Sequence, residues 1–199
     1  MLGRMMAMPL TVTEIMNFAD CQHGGTEIVS VVADNPLHRC TFSDAFRRSR
    51  QLANALERLG VKAGERIASL AWNDYRHLEL YFGVSCCGRI LHTVNPRLFP
   101  EQLVYILNHA EDRVLFFDVM FLPLVEALAD KLPMVETYVV LTSADNMPAQ
   151  SALELVCYDE LLAAESDTYE WPKLDENAAH MLCYTSGTTG NPKGVLFSH

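Results

Sequence analysis

Apolar runs of two different periods alternate along this chain, and that alternation limits the folds open to it more than any other feature. Short strand-like runs fall at Arg66–Trp72, Ile90–Val94, Val114–Phe117 and Thr137–Leu141. Between them lie stretches of helical spacing, each about 10–15 residues long. Parallel strands need crossovers of that length, whereas antiparallel neighbours can be joined by tight turns. The expected fold is therefore α/β, with a largely parallel sheet and flanking helices.

Local signals place the elements. Thr11 to Cys21 predicts a helix, stopped by Gly24 and Gly25. Glu27–Val32 and Arg39–Phe42 flank Asn35-Pro36 and predict a hairpin. Thr41 and Asp44 form a capping-box pattern before a helix carrying Phe46, Ala53, Leu56 and Leu59, with Gly60 as its stop. Arg47, Arg48 and Arg50 of that helix are expected to form a solvated polar face. Asn73 or Asp74 can cap a helix reaching Cys87 and ending at Gly88. Pro100 suits the first turn of a helix presenting Leu103, Ile106, Leu107 and Ala110. A further helix is expected between Phe117 and Leu132-Pro133, and a short one near Asp159–Ala164. Ser143 to Gln150 is expected to be a surface loop.

Half of the 199 residues are hydrophobic, enough for a sizeable core, and the formal net charge is −10. That balance argues against intrinsic disorder. The acidity argues against a nucleic-acid polymer as partner, since phosphate backbones are repelled. No apolar run approaches the ~18 residues of a membrane span, and Met1–Leu10 lacks the apolar core of a secretory signal. The six cysteines show neither CxxC spacing nor histidine partners at zinc intervals, so free, buried thiols are expected. A cytoplasmic protein without a transmembrane segment fits these features. His77, His92, His109 and His180 occur singly, as ordinary surface or core histidines do. Trp72 and Trp171 are expected to be packing residues.

The chemistry lies near the carboxyl end. An apolar strand, Ala178–Tyr184, runs into Thr185-Ser-Gly-Thr-Thr-Gly-Asn-Pro-Lys-Gly194 and then the apolar Val195-Leu-Phe197. Glycines let backbone N–H groups turn inward around an anion, hydroxyls add short-range donors, and Lys193 supplies a point charge suited to phosphate. Pro192 stiffens the exit. The pattern differs from a Walker A loop, in which GxxxxGK[ST] enters a helix.

Tyr184-Thr-Ser-Gly-Thr-Thr-Gly-Asn-Pro-Lys-Gly-Val195 resembles the phosphate-loop signature of the adenylate-forming (AMP-binding) enzymes. These include acyl-CoA synthetases, adenylation domains of peptide synthetases, and luciferases. Leu91-His-Thr-Val-Asn-Pro-Arg-Leu-Phe-Pro-Glu-Gln102, the opening Met1-Leu-Gly-x-Met-Met6 and Gly60-Val-Lys-Ala-Gly-Glu-Arg66 are most similar to bacterial medium-chain fatty-acyl-CoA ligases and methylmercaptopropionate-CoA ligases.

The resemblance implies a two-step ligation of a carboxylic acid with ATP, Mg2+ and coenzyme A. An acyl-adenylate and pyrophosphate form first; the CoA thiol then displaces AMP. It implies that Thr185, Ser186, Thr188 and Thr189 donate to phosphate oxygens. Gly187 and Gly190 would allow close backbone approach, Lys193 would neutralise the leaving group, and Thr185 would contact the metal. His199 matches a family position beyond the loop. Members of the family run to several hundred residues. Residues 1–199 therefore correspond to the N-terminal part of the adenylation domain. The adenine and ribose motifs, the glutamate completing the magnesium site and the C-terminal domain with its catalytic lysine fall outside them. Two expectations stand. One is an N-terminal piece of an acyl-CoA synthetase, or of an aryl-CoA ligase or peptide-synthetase adenylation domain, inactive alone and prone to self-association through sheet edges. The other is a naturally short, non-catalytic nucleotide-binding or interaction module.

Overall fold

In the computed structural model, residues 3–32, 37–185 and 191–199 are described. The expected helix near the start runs Val12–His23 (α1), and the hairpin pairs Glu27–Ser30 (β1) with His38–Thr41 (β2) antiparallel. Its Asn35-Pro36 tip lies outside the described residues. Helix Phe42–Arg58 (α2) begins with the full capping box: Thr41 Oγ1 accepts from Asp44 N–H at 3.2 Å, and Asp44 Oδ2 accepts from Thr41 N–H at 3.1 Å. Gly60, at φ +75°, then reverses the chain in a conformation that a side chain would strain.

From there the crossovers follow in order. Strand Arg66–Leu70 (β3) leads through Asp74, whose Oδ1 caps His77 N–H, into helix Tyr75–Cys86 (α3). Strand Ile90–Thr93 (β4) leads to Pro100–Ala110 (α4), with proline in the first turn. Strand Val114–Phe117 (β5) is followed not by one long helix but by a 3-10 turn, a helix Leu122–Leu128 (α5), and another 3-10 turn. Thr137–Val140 (β6) precedes Leu155–Cys157 (β7), a strand without a periodic signal, and helix Tyr158–Ala163 (α6). Ala179–Thr185 (β8) and Lys193–Ser198 (β9) close the chain.

Seven strands form one sheet in the order β7-β6-β5-β3-β4-β8-β9. Every neighbouring pair is parallel except β8–β9. The step from β3 to β4 moves one way along the sheet, and the steps to β5, β6 and β7 move the other way. Right-handed crossovers then place helices on opposite faces. Ile67, Leu91, Phe116 and Val139 pack one face against α2, α3 and α6; Leu70, Leu115, Phe117 and Val140 pack the other against α4 and α5. Helices α2 and α3 approach closely at Gly83, where an added Cβ would lie 2.7 Å from Leu52 Cδ2 and 3.0 Å from Ser49 O.

Two sequence expectations need correction. Arg48 does not belong to a solvated face. Its Nε donates to Glu79 Oε1 and its Nη2 to Asp159 Oδ1, each at 2.7 Å, with Glu79 fully buried. Tyr158 Oη donates to the other Glu79 oxygen at 2.9 Å. A buried carboxylate needs such partners, and they come from helices remote in sequence. All six thiols are free as expected, but only Cys86, Cys87 and Cys157 are buried; Cys40 and Cys183 are half-buried and Cys21 is exposed.

Candidate active site

Ligands of open α/β sheets bind where neighbouring strands send their following helices to opposite faces. Here β3 leads to α3 on one face and β4 leads to α4 on the other. Beyond their carboxyl ends opens a cleft of about 500 Å³, lined among others by Ser69, Trp72, His77, Thr93, Cys183 and Tyr184. Strand register sets this composition: Ser69, Thr93 and Cys183 are direct neighbours across β3, β4 and β8, so three small polar side chains form one row.

Each is held in place. Thr93 Oγ1 and Cys183 Sγ lie 3.0 Å apart, and Ser69 Oγ is 3.1 Å from His77 Nε2. Burial lowers the His77 pKa and so favours the neutral imidazole, with the Asp74 charge opposing it. Trp72 N–H donates to Asp118 Oδ2 at 2.7 Å, tying the β3–α3 loop to the end of β5. The Trp72 side chain is 43 % exposed at the cleft and packs only in part, its ring 5.9 Å from that of Phe121 and its Nε1–H donating to Met120 Sδ at 3.0 Å. Trp171, by contrast, packs against the core.

Strand β8 carries the chain out of the cleft. Directly beyond Tyr184, the last lining residue, Thr185 pairs with Lys193 across the β8–β9 ladder, and its Oγ1 donates to Lys193 O at 3.5 Å. Thr185 and Lys193 are both exposed, and Pro192 is buried. The structure thus brings together the two ends of the glycine-rich segment. Ser186, Gly187, Thr188, Thr189 and Gly190 lie outside the described residues. Lys193 opens β9 and is presented to solvent.

The single histidines have partners that spacing could not reveal. His92 is fully buried with Nδ1 2.7 Å from Asp112 Oδ2, and burial raises the Asp112 pKa against that contact. His109 Nδ1 lies 2.6 Å from Tyr184 Oη. His180 contacts Ser85 Oγ at 3.2 Å, and its ring is 5.1 Å from that of His199. His199 Nδ1 accepts from Val12 N–H at 3.3 Å, so it meets α1 rather than the cleft. The cleft residues Ser69, Thr93 and Cys183 were missed in sequence. The one signal that could have found them is their place at the ends of strands in a parallel sheet.

The family described as AMP-binding enzyme matches residues 19–199. Over all 199 residues the chain is 50 % identical to 3-methylmercaptopropionyl-CoA ligase of Ruegeria lacuscaerulensis, covering 37 % of that protein. It is 43 % identical to medium-chain-fatty-acid–CoA ligase of Ectopseudomonas oleovorans, covering 36 % of it. The chain thus spans about a third of the length of these curated relatives. Among solved structures, anthranilate CoA ligase AuaEII in complex with anthranoyl-AMP superposes with a TM-score of 0.84 at 27 % identity. That match covers 98 % of this chain and 36 % of the other.

Proposed function

The chain belongs to the AMP-binding enzyme family, and on that premise we propose that it is the N-terminal part of the adenylation domain of an ATP-dependent acyl-CoA ligase for an aliphatic carboxylic acid. One observation carries the reading. Thr185 and Lys193 pair directly beyond a cleft at the strand ends, in a chain aligned along its whole length with aliphatic CoA ligases.

In the proposed reaction a carboxylate oxygen attacks the α-phosphorus of ATP, and the bond to the pyrophosphate oxygen breaks. The sulfur of coenzyme A then attacks the acyl carbon, releasing AMP and leaving a thioester. Negative charge gathers on the departing pyrophosphate, where Lys193 supplies a matching charge. The hydroxyls of Thr185, Ser186, Thr188 and Thr189 donate to phosphate oxygens. Gly187 and Gly190 leave room for backbone N–H donors.

Thr185 suits a magnesium ion, because its hydroxyl is an exposed oxygen and Mg2+ takes only one or two protein oxygens beside phosphates and water. Bound there with ATP, the ion would neutralise phosphate charge. The six free cysteines accord with a reducing cytoplasm.

AMP release measured with ATP, coenzyme A and short to long carboxylic acids tests the proposal. The 199-residue chain should give neither AMP nor thioester. A protein of the relatives' full length, expressed from the same reading frame, should give both. Turnover by the short chain, or none by the longer protein with any acid, overturns it.

A further inference from the structure

Tyr184 touches three elements at the foot of the glycine-rich segment. Its hydroxyl is hydrogen-bonded to Nδ1 of His109 on α4, at 2.6 Å. Its ring lies 5.0 Å from that of His92 on β4, which Asp112 holds inside the core. On β9 its register partner is Gly194, where an added Cβ would meet Tyr184 Cζ at 3.2 Å and Leu182 Cδ1 at 3.2 Å. A side chain at 194 would require the ring or Leu182 to give by a few tenths of an ångström. His109 in turn stacks on Tyr105 of its own helix, ring centroids 5.4 Å apart.

The geometry points to Tyr184 as the positioning residue of the glycine-rich segment, anchored by His109. The phenol ties the end of β8 to α4, while its ring covers the β9 strand opposite. Thr185 and Lys193 therefore leave and re-enter the sheet at a set place beside the cleft. Burial, with the Asp112 charge adding to it, pushes the Tyr184 phenol up to about 12, so the hydroxyl stays protonated and uncharged throughout the neutral range. What the fixed stems serve is the phosphate binding proposed above, whereas the tether is a property of the free chain.

Amide hydrogen exchange on the peptide spanning Tyr184 to Val195 tests the tether without any ligand. Tyr184→Phe and His109→Ala should each raise exchange about five- to tenfold, as expected for one lost hydrogen bond. The double variant should exceed neither, because both remove the same bond. His109→Gln should restore protection, since its side-chain amide can pair with the phenol in either direction. Unchanged exchange in Tyr184→Phe, or additive losses in the double variant, overturns the tether.

A second arm titrates magnesium tripolyphosphate by calorimetry. Tyr184→Phe, His109→Ala and the double variant should weaken affinity alike and His109→Gln should not, with melting temperatures held. Equal affinity in all variants overturns the positioning role. Failure of the unsubstituted chain to bind tripolyphosphate overturns the phosphate reading and with it the purpose of the tether, while the exchange arm still decides whether the tether exists.

Discussion

Arg48 of α2 directs its guanidinium at Glu79 of α3, Nε to Oε1 2.7 Å, and the Glu79 side chain has no solvent exposure. The same guanidinium reaches Asp159 and lies 5.5 Å from the centre of the Tyr158 ring. Helices α2, α3 and α6 are thus locked together by one cation, on the sheet face opposite α4 and α5.

Replacing Arg48 by alanine should cost about 2–4 kcal/mol at pH 9, where Glu79 is ionised, because a buried carboxylate is left without its cation. The loss should shrink at pH 5, where the orphaned Glu79 can protonate. Urea denaturation at the two pH values measures this. Equal losses at both would show that packing, not charge, dominates the site.

Burial pushes the Glu79 carboxyl up to about 7, against the lowering effects of Arg48 and Tyr158. An acid whose folded pKa lies above its unfolded value binds protons more tightly when folded. Its contribution to stability is therefore full below about pH 4.5 and is lost as the pH rises through 7. His38, His77, His180 and His199, lowered mainly by burial, act in the opposite direction. The clean observable is the difference between the native chain and Glu79→Gln. The native chain should lose up to about 3 kcal/mol relative to the variant between pH 4.5 and 7.5. A difference that does not change with pH would overturn the assignment.

At Gly83 the backbones of α2 and α3 approach too closely for a side chain, with Leu52 Cδ2 and Ser49 O both within 3.0 Å of an added Cβ. Gly83→Val should destabilise by about 2–3 kcal/mol through overpacking. Gly25, whose added Cβ would meet nothing within 4 Å, is the control: alanine there should change stability by less than about 0.5 kcal/mol. Thermal melts of the pair suffice.

Much of this arrangement was legible because its causes are local. Thr41 and Asp44, Asp74, Pro100 and Gly60 announce helix ends within four residues of themselves, and each acts as expected. What depended on sheet order was not legible. Strand β7 is a three-residue element without a period to detect. Arg48 looked like a surface residue because its partners are 31 and 111 positions away. Ser69, Thr93 and Cys183 become one row only once β3, β4 and β8 are adjacent. The glycine-rich segment carries its chemistry in its own residues, whereas the cleft beside it exists only in three dimensions.

Lys193 is exposed, so Lys193→Ala should leave stability within about 0.5 kcal/mol of the native chain. If it carries the phosphate contact, the same change should weaken magnesium tripolyphosphate binding about tenfold, the effect of losing one charge-assisted bond. Calorimetry at two salt concentrations checks it. Undiminished affinity would move the phosphate site away from Lys193.

Among the described residues strand β9 pairs with β8 alone, standing at the edge of the sheet, and Val195, Leu196 and Phe197 are each more than 40 % exposed. An apolar edge strand is a template for another strand, because its outward N–H and C=O groups lack sheet partners. The 199-residue chain should therefore self-associate in a concentration-dependent way, as light scattering would record. A lysine at Leu196 places a charge on that edge and should shift the chain toward monomer without altering the buried core. Association that persists unchanged in Leu196→Lys would place the contact elsewhere. A monomer over the whole concentration range would show that β9 is not sticky despite its composition.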